Sequence, residues 1–143
     1  MKLATIGYEK EPQAAVIDRL RTAGVEVVID VRAVASSRRA GFSKTLLAAS
    51  LNDAGIGYVH LRQLGTPKPG RIAARKGHVG EMHEIFKAHM AEPAAQLELA
   101  KATELARDRK VALLCYEADA QACHRSIVAD RICEVLGCEI ENL

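Results

Sequence analysis

The segment VEVVIDVR, residues 25–32, decides the fold. Val25, Val27, Val28, Ile29 and Val31 make it β-branched and nearly continuously apolar. A strand with one wet face alternates; a strand covered on both faces reads like this one. It therefore predicts a parallel sheet with helices on either side. The neighbouring stretches agree. KLATIGY (2–8) reads as a short buried strand, and EPQAAVIDRLRTAG (11–24) has apolar residues at helical spacing, with Pro12 suited to the first turn and Gly24 to the stop.

The alternation continues. AVASSRRAGFS (33–43) reads as a loop, KTLLAASLNDAG (44–55) as a helix closed by Gly55, and IGYVHLRQL (56–64) as a strand. GTPKPGRIAARKGHVG (65–80) holds two prolines, four glycines and five basic residues. It predicts an exposed, mobile loop of a kind that often carries function. Residues 81–110 are helical in pattern, with Pro93 as a break. VALLCYE (111–117) is a strand, AQACHRSIVADRICEVLG (120–137) a helix ended by Gly137, and CEIENL a short final strand. The expectation is one domain over 1–143: a three-layer α/β/α fold with a mostly parallel sheet of about five strands.

The 143 residues are about half apolar, with few aromatics and no Trp, so the core must be built from Ala, Val, Ile and Leu. No apolar run reaches the roughly 20 residues that span a bilayer. The start, MKLATIGYEKEP, turns polar too early for a signal peptide. These features predict a cytoplasmic protein without a membrane partner. The four cysteines, Cys115, Cys123, Cys133 and Cys138, should then be reduced. Cys133 and Cys138 are expected as packing residues. Between Arg32 and Gly80 stand nine Lys or Arg against the single acid Asp53. That segment carries +8, leaving −6 for the remainder of a chain whose total is +2. Basic charge gathered in this way suggests an anionic small molecule or a nucleic acid as partner; a solvated basic face is the plain alternative.

In open parallel sheets, ligands bind beyond the carboxyl ends of the strands. Those ends carry Tyr8 and Glu9, Asp30 and Arg32, His60 and Arg62, and Cys115, Tyr116 and Glu117. Asp119 suits an N-cap for the last helix. Placed on a wheel with that start, His124 and Arg125 overhang the strand ends and Cys123 points away. Cys115 is a candidate nucleophile, with a buried thiol as its plain reading. Glu117 and Asp30 are candidates for a general base or for orienting a donor, and His124 for proton transfer near neutral pH. Arg32, Arg38, Lys44 and Arg125 are the anion-binding candidates. Cys115, Glu117, Cys123 and His124, with His60 or His78, include zinc-ligand types. Adjacent Cys and His on one helix diverge by about 100°, so no metal or other cofactor is assigned.

TIGYE, IDVRAVASSRRAGFSK, GIGYVHLRQLG and LLCYEADAQACHRSIVADRI, in this order over nearly the whole chain, resemble the DUF488 family, small bacterial and archaeal proteins of undetermined function. The resemblance carries onto Thr5, Gly7, Tyr8, Asp30, Arg32, Ser37, Arg38, Phe42, Lys44, Tyr58, Leu64, Gly65, Cys115, Glu117, Cys123, His124 and Arg125. It implies a shared polar site that includes Tyr8 and Ser37 beside the residues above. Ala35 and Ala120 stand where the family usually has proline. A weaker likeness to rhodanese-like domains rests on Asp-x-Arg and a cysteine at strand ends, but the stretch from Cys115 to Arg125 is too long for their amide loop. Three functional expectations follow. The first is an enzyme acting on a phosphorylated or nucleotide-like anion. The second is a non-catalytic nucleic-acid-binding module, against which the scarcity of stacking aromatics counts. The third is a metal-binding or thiol redox regulator.

Overall fold

A computed structural model describes all 143 residues. The elements run β1 (Lys2–Gly7), α1 (Gln13–Thr22), β2 (Val27–Asp30), α2 (Lys44–Asp53), β3 (Gly57–His60), α3 (Lys68–Arg75), α4 (Val79–Met90), α5 (Pro93–Asp108), β4 (Val111–Cys115), α6 (Arg125–Leu136) and β5 (Glu139–Asn142). Short 3₁₀ turns occupy Arg62–Leu64 and Ala120–Ala122. The five strands form one parallel sheet in the order β3-β2-β4-β1-β5.

Strand alternation splits the core into two layers. Ala4, Ile6, Val28, Ala112 and Leu114 face α1 and α2 through Val16, Leu20, Leu47 and Leu51. Leu3, Val27, Ile29, Val111 and Leu113 face α4, α5 and α6 through Phe86, Met90, Ala102, Val128 and Ile132. The fold is thus the expected three-layer α/β/α arrangement. Each fully buried Val, Leu or Ile contributes about 1.5–3 kcal/mol. Small Ala95, Ala102 and Ala106 line the buried face of α5. No helix is long and apolar enough to cross a membrane.

Topology places the site. β4 lies between β2 and β1. The helices that follow β1 and β2 pack on one face, and the helix that follows β4 packs on the other. Chains leaving neighbouring strands in opposite directions open a crevice at their carboxyl ends. Here the crevice sits over the end of β4.

Three sequence expectations need correction. Residues 65–80 are not a loop: Lys68–Arg75 is helix α3, followed by a turn through Gly77 and the start of α4. Pro67 caps α3 and Pro69 lies in its first turn, where a missing N–H costs nothing. The last helix does not begin at 120. Asp119 caps only the 3₁₀ turn, accepting from Gln121 N at 2.9 Å, Cys123 is extended, and α6 starts at Arg125 with His124 as its N-cap. Finally, Cys133 and Cys138 form a disulfide rather than packing as free thiols. Gly137, left-handed at φ 69°, turns the chain back so that the two Cα atoms lie 4.7 Å apart, within disulfide range.

Candidate functional site

A pocket of about 720 Å³ opens at the carboxyl edge. Its walls come from four places: Tyr8 and Glu9 after β1, Arg32 to Val34 after β2, Cys115 to Glu117 after β4, and Thr66, Arg71, Arg75 and Met82 from the segment between β3 and β4. His124 lines the pocket as well. The ends of β1, β2 and β4 meet directly. β3 contributes through the chain beyond it, where Gly65 crosses over Ala33. A Cβ at Gly65 would overlap the Ala33 backbone, and one at Gly7 would overlap the Glu117 carbonyl. Both glycines are therefore required by close approach of two strand-end loops.

Beneath the pocket lies a polar core. Arg32 meets Asp30 in a fork, Nε to Oδ1 at 2.8 Å and Nη2 to Oδ2 at 2.7 Å. Its Nη1 donates to the Tyr8 hydroxyl at 3.0 Å and to the Phe42 carbonyl at 2.7 Å. Four of the five guanidinium N–H groups are thus engaged. Asp30, fully buried, also accepts from Arg32 N and from the Tyr58 hydroxyl. All its lone-pair positions are occupied, an arrangement suited to orienting Arg32 rather than to taking a proton. Burial works against the Arg32 charge, but hydrogen bonds and charge from Asp30, with Tyr8 adding, raise its pKa. Burial and then Asp30 push the Tyr58 hydroxyl up as well. Tyr8 stacks on Phe42 at 4.2 Å and meets Tyr116 edge-on at 5.5 Å.

The second cluster joins β4 to α6. Cys115 Sγ lies 3.9 Å and Cys123 Sγ 3.7 Å from His124 Nδ1. His124 Nε2 lies 2.7 Å from the Val31 carbonyl, and the Phe86 ring lies 5.0 Å from the imidazole. All three side chains are buried, Cys123 most deeply at 1 % exposure. Cys123 points inward, contrary to the wheel, because it precedes α6 and is extended. Hydrogen bonding to Cys123, then burial, raises the Cys115 thiol well above the ordinary range. Burial would raise Cys123 too, but donation from Cys115 and the positive His124 and Arg125 reverse this and hold it well below. Burial opposes protonation of His124, yet the negative Cys123 and the Val31 carbonyl raise its pKa. Burial, reinforced by Cys123, pushes Glu117 up to about 7. The Glu117 Oε2 atom is buried without a hydrogen-bond partner.

Of the ten residues singled out in the sequence, Tyr8, Arg32, Cys115, Glu117 and His124 line the pocket, with Asp30 beneath. Arg125 does not. At 1 % exposure it is turned into the protein, donating to the carbonyls of Glu117 at 2.5 Å and Ala118 at 3.3 Å. Ser37 is tied to Ser43, whose hydroxyl accepts from Ser37 N and donates to Ser37 O, both at 3.1 Å. Arg38 and Lys44 are exposed and lie outside the pocket lining, in which Ser36 appears instead. The cationic wall is supplied by Arg71 and Arg75, which the loop reading of 65–80 passed over. The signal was present: Lys68, Arg71 and Arg75 recur at helical spacing around the buried Gly70 and Ala73.

A family model described as "Domain of unknown function DUF488" matches residues 12–132. No curated protein and no solved structure matches the chain.

Proposed function

The chain belongs to the DUF488 family, and for this member we propose an enzyme acting on a phosphorylated or nucleotide-like anion at the carboxyl edge of the sheet. One observation carries the reading. Arg71 and Arg75 line the same pocket as Cys115, Glu117 and His124. Cationic side chains without carboxylate partners, gathered with nucleophile and acid-base types, are what a reaction on an anionic substrate needs.

The roles follow from placement. Arg71 and Arg75 bind the anion. Arg71 Nη1 already donates to the Thr66 carbonyl at 2.9 Å, which aims its guanidinium. Arg32 offers one remaining N–H, and Asp30 holds it in place. Tyr8 and Tyr116 give the pocket an aromatic corner on which a planar group can rest. Glu117, with a carboxylate oxygen free of protein partners, handles the proton. Cys115 and His124 line the pocket beside it.

Calorimetric titration with inorganic pyrophosphate tests the anion site without knowledge of the substrate. Each of Arg71→Ala and Arg75→Ala is expected to weaken binding about tenfold, the loss of one charge-assisted contact of about 1.4 kcal/mol. Equal affinity in wild type and the double variant would sink the reading. Binding that grows strongly with the length of a DNA or RNA oligonucleotide and falls steeply with salt would instead favour the nucleic-acid module.

A further inference from the structure

Cys115, Cys123 and His124 together have the shape of a metal site. The two sulfurs and His124 Nδ1 all lie within 4.8 Å of one another. Zinc bonded tetrahedrally at ~2.3 Å to sulfur and ~2.0–2.1 Å to nitrogen sets neighbouring S and N ligands roughly 3.6 Å apart. The separations here, 3.7 and 3.9 Å, are close to that edge length. Both sulfurs face His124 Nδ1, as ligands sharing one central ion would.

The surroundings fit the same reading. His124 Nε2 lies 2.7 Å from the Val31 carbonyl. A ring N–H donated to a carbonyl fixes the tautomer and turns the other nitrogen's lone pair to the metal. Phe86 packs on the ring, and Ser126 Oγ donates to the Cys123 carbonyl at 3.0 Å. The ligands are thus held by β4 and the start of α6. The helical divergence that argued against adjacent Cys and His ligands does not apply, because Cys123 lies outside the helix.

We propose that Cys115, Cys123 and His124 bind a zinc ion whose fourth coordination position opens into the pocket. Two thiolates and an imidazole select zinc over magnesium, calcium or manganese. Three protein ligands with one open position is the catalytic pattern; structural sites are closed by a fourth. Cys115 and His124 line the pocket while Cys123 does not, so the ion's exposed side faces the substrate wall. Glu117 stands two residues after Cys115 and outside the ligand trio. It is placed to take a proton from a water in the fourth position, as a glutamate two residues after a zinc ligand does in nucleobase deaminases. Each coordinating thiol surrenders its proton to solvent as the ion binds. Only the nature of the fourth ligand rests on the anion reading above; the ligand set stands without it.

Cobalt(II) titration of reduced, chelator-treated protein tests the site. One equivalent is expected to give thiolate-to-cobalt charge-transfer absorption and the intense visible bands of a tetrahedral ion, and one equivalent of zinc is expected to remove them. Cys123→Ser and His124→Ala should weaken cobalt binding by at least about a hundredfold, since even outer-shell changes cost 10–100-fold. The Cys133→Ser/Cys138→Ser double variant should bind as wild type. Absence of the spectrum in folded wild-type protein, or its persistence in Cys123→Ser, overturns the proposal. The wild-type arm decides even where a variant does not fold. Pyrophosphate titration of the same chelator-treated protein separates the two readings. Anion binding without a cobalt spectrum removes only the zinc site, and the spectrum without anion binding removes only the anion site.

Discussion

Arg125 donates to the backbone carbonyl of Glu117 at 2.5 Å, so a pocket-lining carboxylate is positioned through its main chain by a buried guanidinium. The same side chain reaches Ala118. The loop that follows β4 is thereby tied to the first residue of α6. Gly7 passes directly beneath the Glu117 carbonyl, so β1, β4 and α6 converge on one peptide.

This arrangement gives Arg125 a positioning role rather than contact with substrate. Arg125→Met should destabilise the fold by about 2–3 kcal/mol, because a buried side chain loses its hydrogen bonds to the Glu117 and Ala118 carbonyls. Urea denaturation measures that loss. In the folded variant, pyrophosphate affinity should stay within about twofold. A fall of about tenfold, the size of a lost charge-assisted contact, would return Arg125 to the anion site.

The Asp30–Arg32 pair makes the complementary case. Asp30→Asn leaves a buried guanidinium without its counter-charge and should cost about 3–5 kcal/mol. Tyr58→Phe removes only a hydroxyl that donates to Asp30 at 2.5 Å, and should cost about 1–2 kcal/mol. The double variant Asp30→Leu/Arg32→Met should recover much of the loss of Asp30→Asn, since apolar pairs often replace buried ion pairs without penalty. Thermal and chemical denaturation of the three proteins provide the check. A double variant less stable than Asp30→Asn would show that Arg32 is needed for its bonds to Tyr8 and Phe42.

Two glycines separate space from conformation. Gly65 has ordinary backbone angles, yet a Cβ there would strike Ala33. Gly65→Ala should cost about 2–3 kcal/mol through overpacking and widen the pocket mouth. Gly80, inside α4 with open space around it, is the control. Gly80→Ala should be neutral or stabilise by up to about 1 kcal/mol. Equal effects of the two substitutions would remove the close-approach explanation.

The layers and the sheet were legible because each strand and most helices obey one period. VEVVIDVR reads as doubly covered, and its residues do alternate between the two core layers. The pairing of Asp30 with Arg32 was legible as a local contact, but its links to Tyr8, Phe42 and Tyr58 join three distant segments. Residues 65–80 misled because Pro67 and Pro69 read as loop formers, whereas one caps a helix and the other sits in its first turn. Arg71 and Arg75 were missed with it. The start of α6 was placed five residues early, because Asp119 is a genuine cap of a turn that does not continue as α-helix. That single shift turned Cys123 outward on the wheel, when the folded chain sets it beside Cys115 and His124. Strong local signals thus located every strand and every α-helix except α3, although the third strand, expected to reach Leu64, ends at His60 and gives way to the 3₁₀ turn Arg62–Leu64. The site depended on where elements begin, which tertiary packing decides.

Cys115 and Cys123 are the two free cysteines, and they differ in access: Cys115 lines the pocket and Cys123 does not. In metal-free protein with the Cys133–Cys138 disulfide intact, iodoacetate should therefore reach Cys115 before Cys123, as peptide mapping would show. Iodoacetate carries a negative charge and iodoacetamide does not. Arg71 and Arg75, which line the same pocket, should concentrate the charged reagent near the thiol. Replacing both with alanine should slow iodoacetate by roughly tenfold, about 1.4 kcal/mol of lost attraction, while leaving the iodoacetamide rate unchanged. Added salt should diminish the difference, because the charges face solvent. Equal slowing of both reagents would mean that α3 shapes access to the thiol sterically, and the cationic wall would lose its assigned role. Unequal slowing, with iodoacetate alone affected, would tie the charge of α3 to the chemistry at the end of β4.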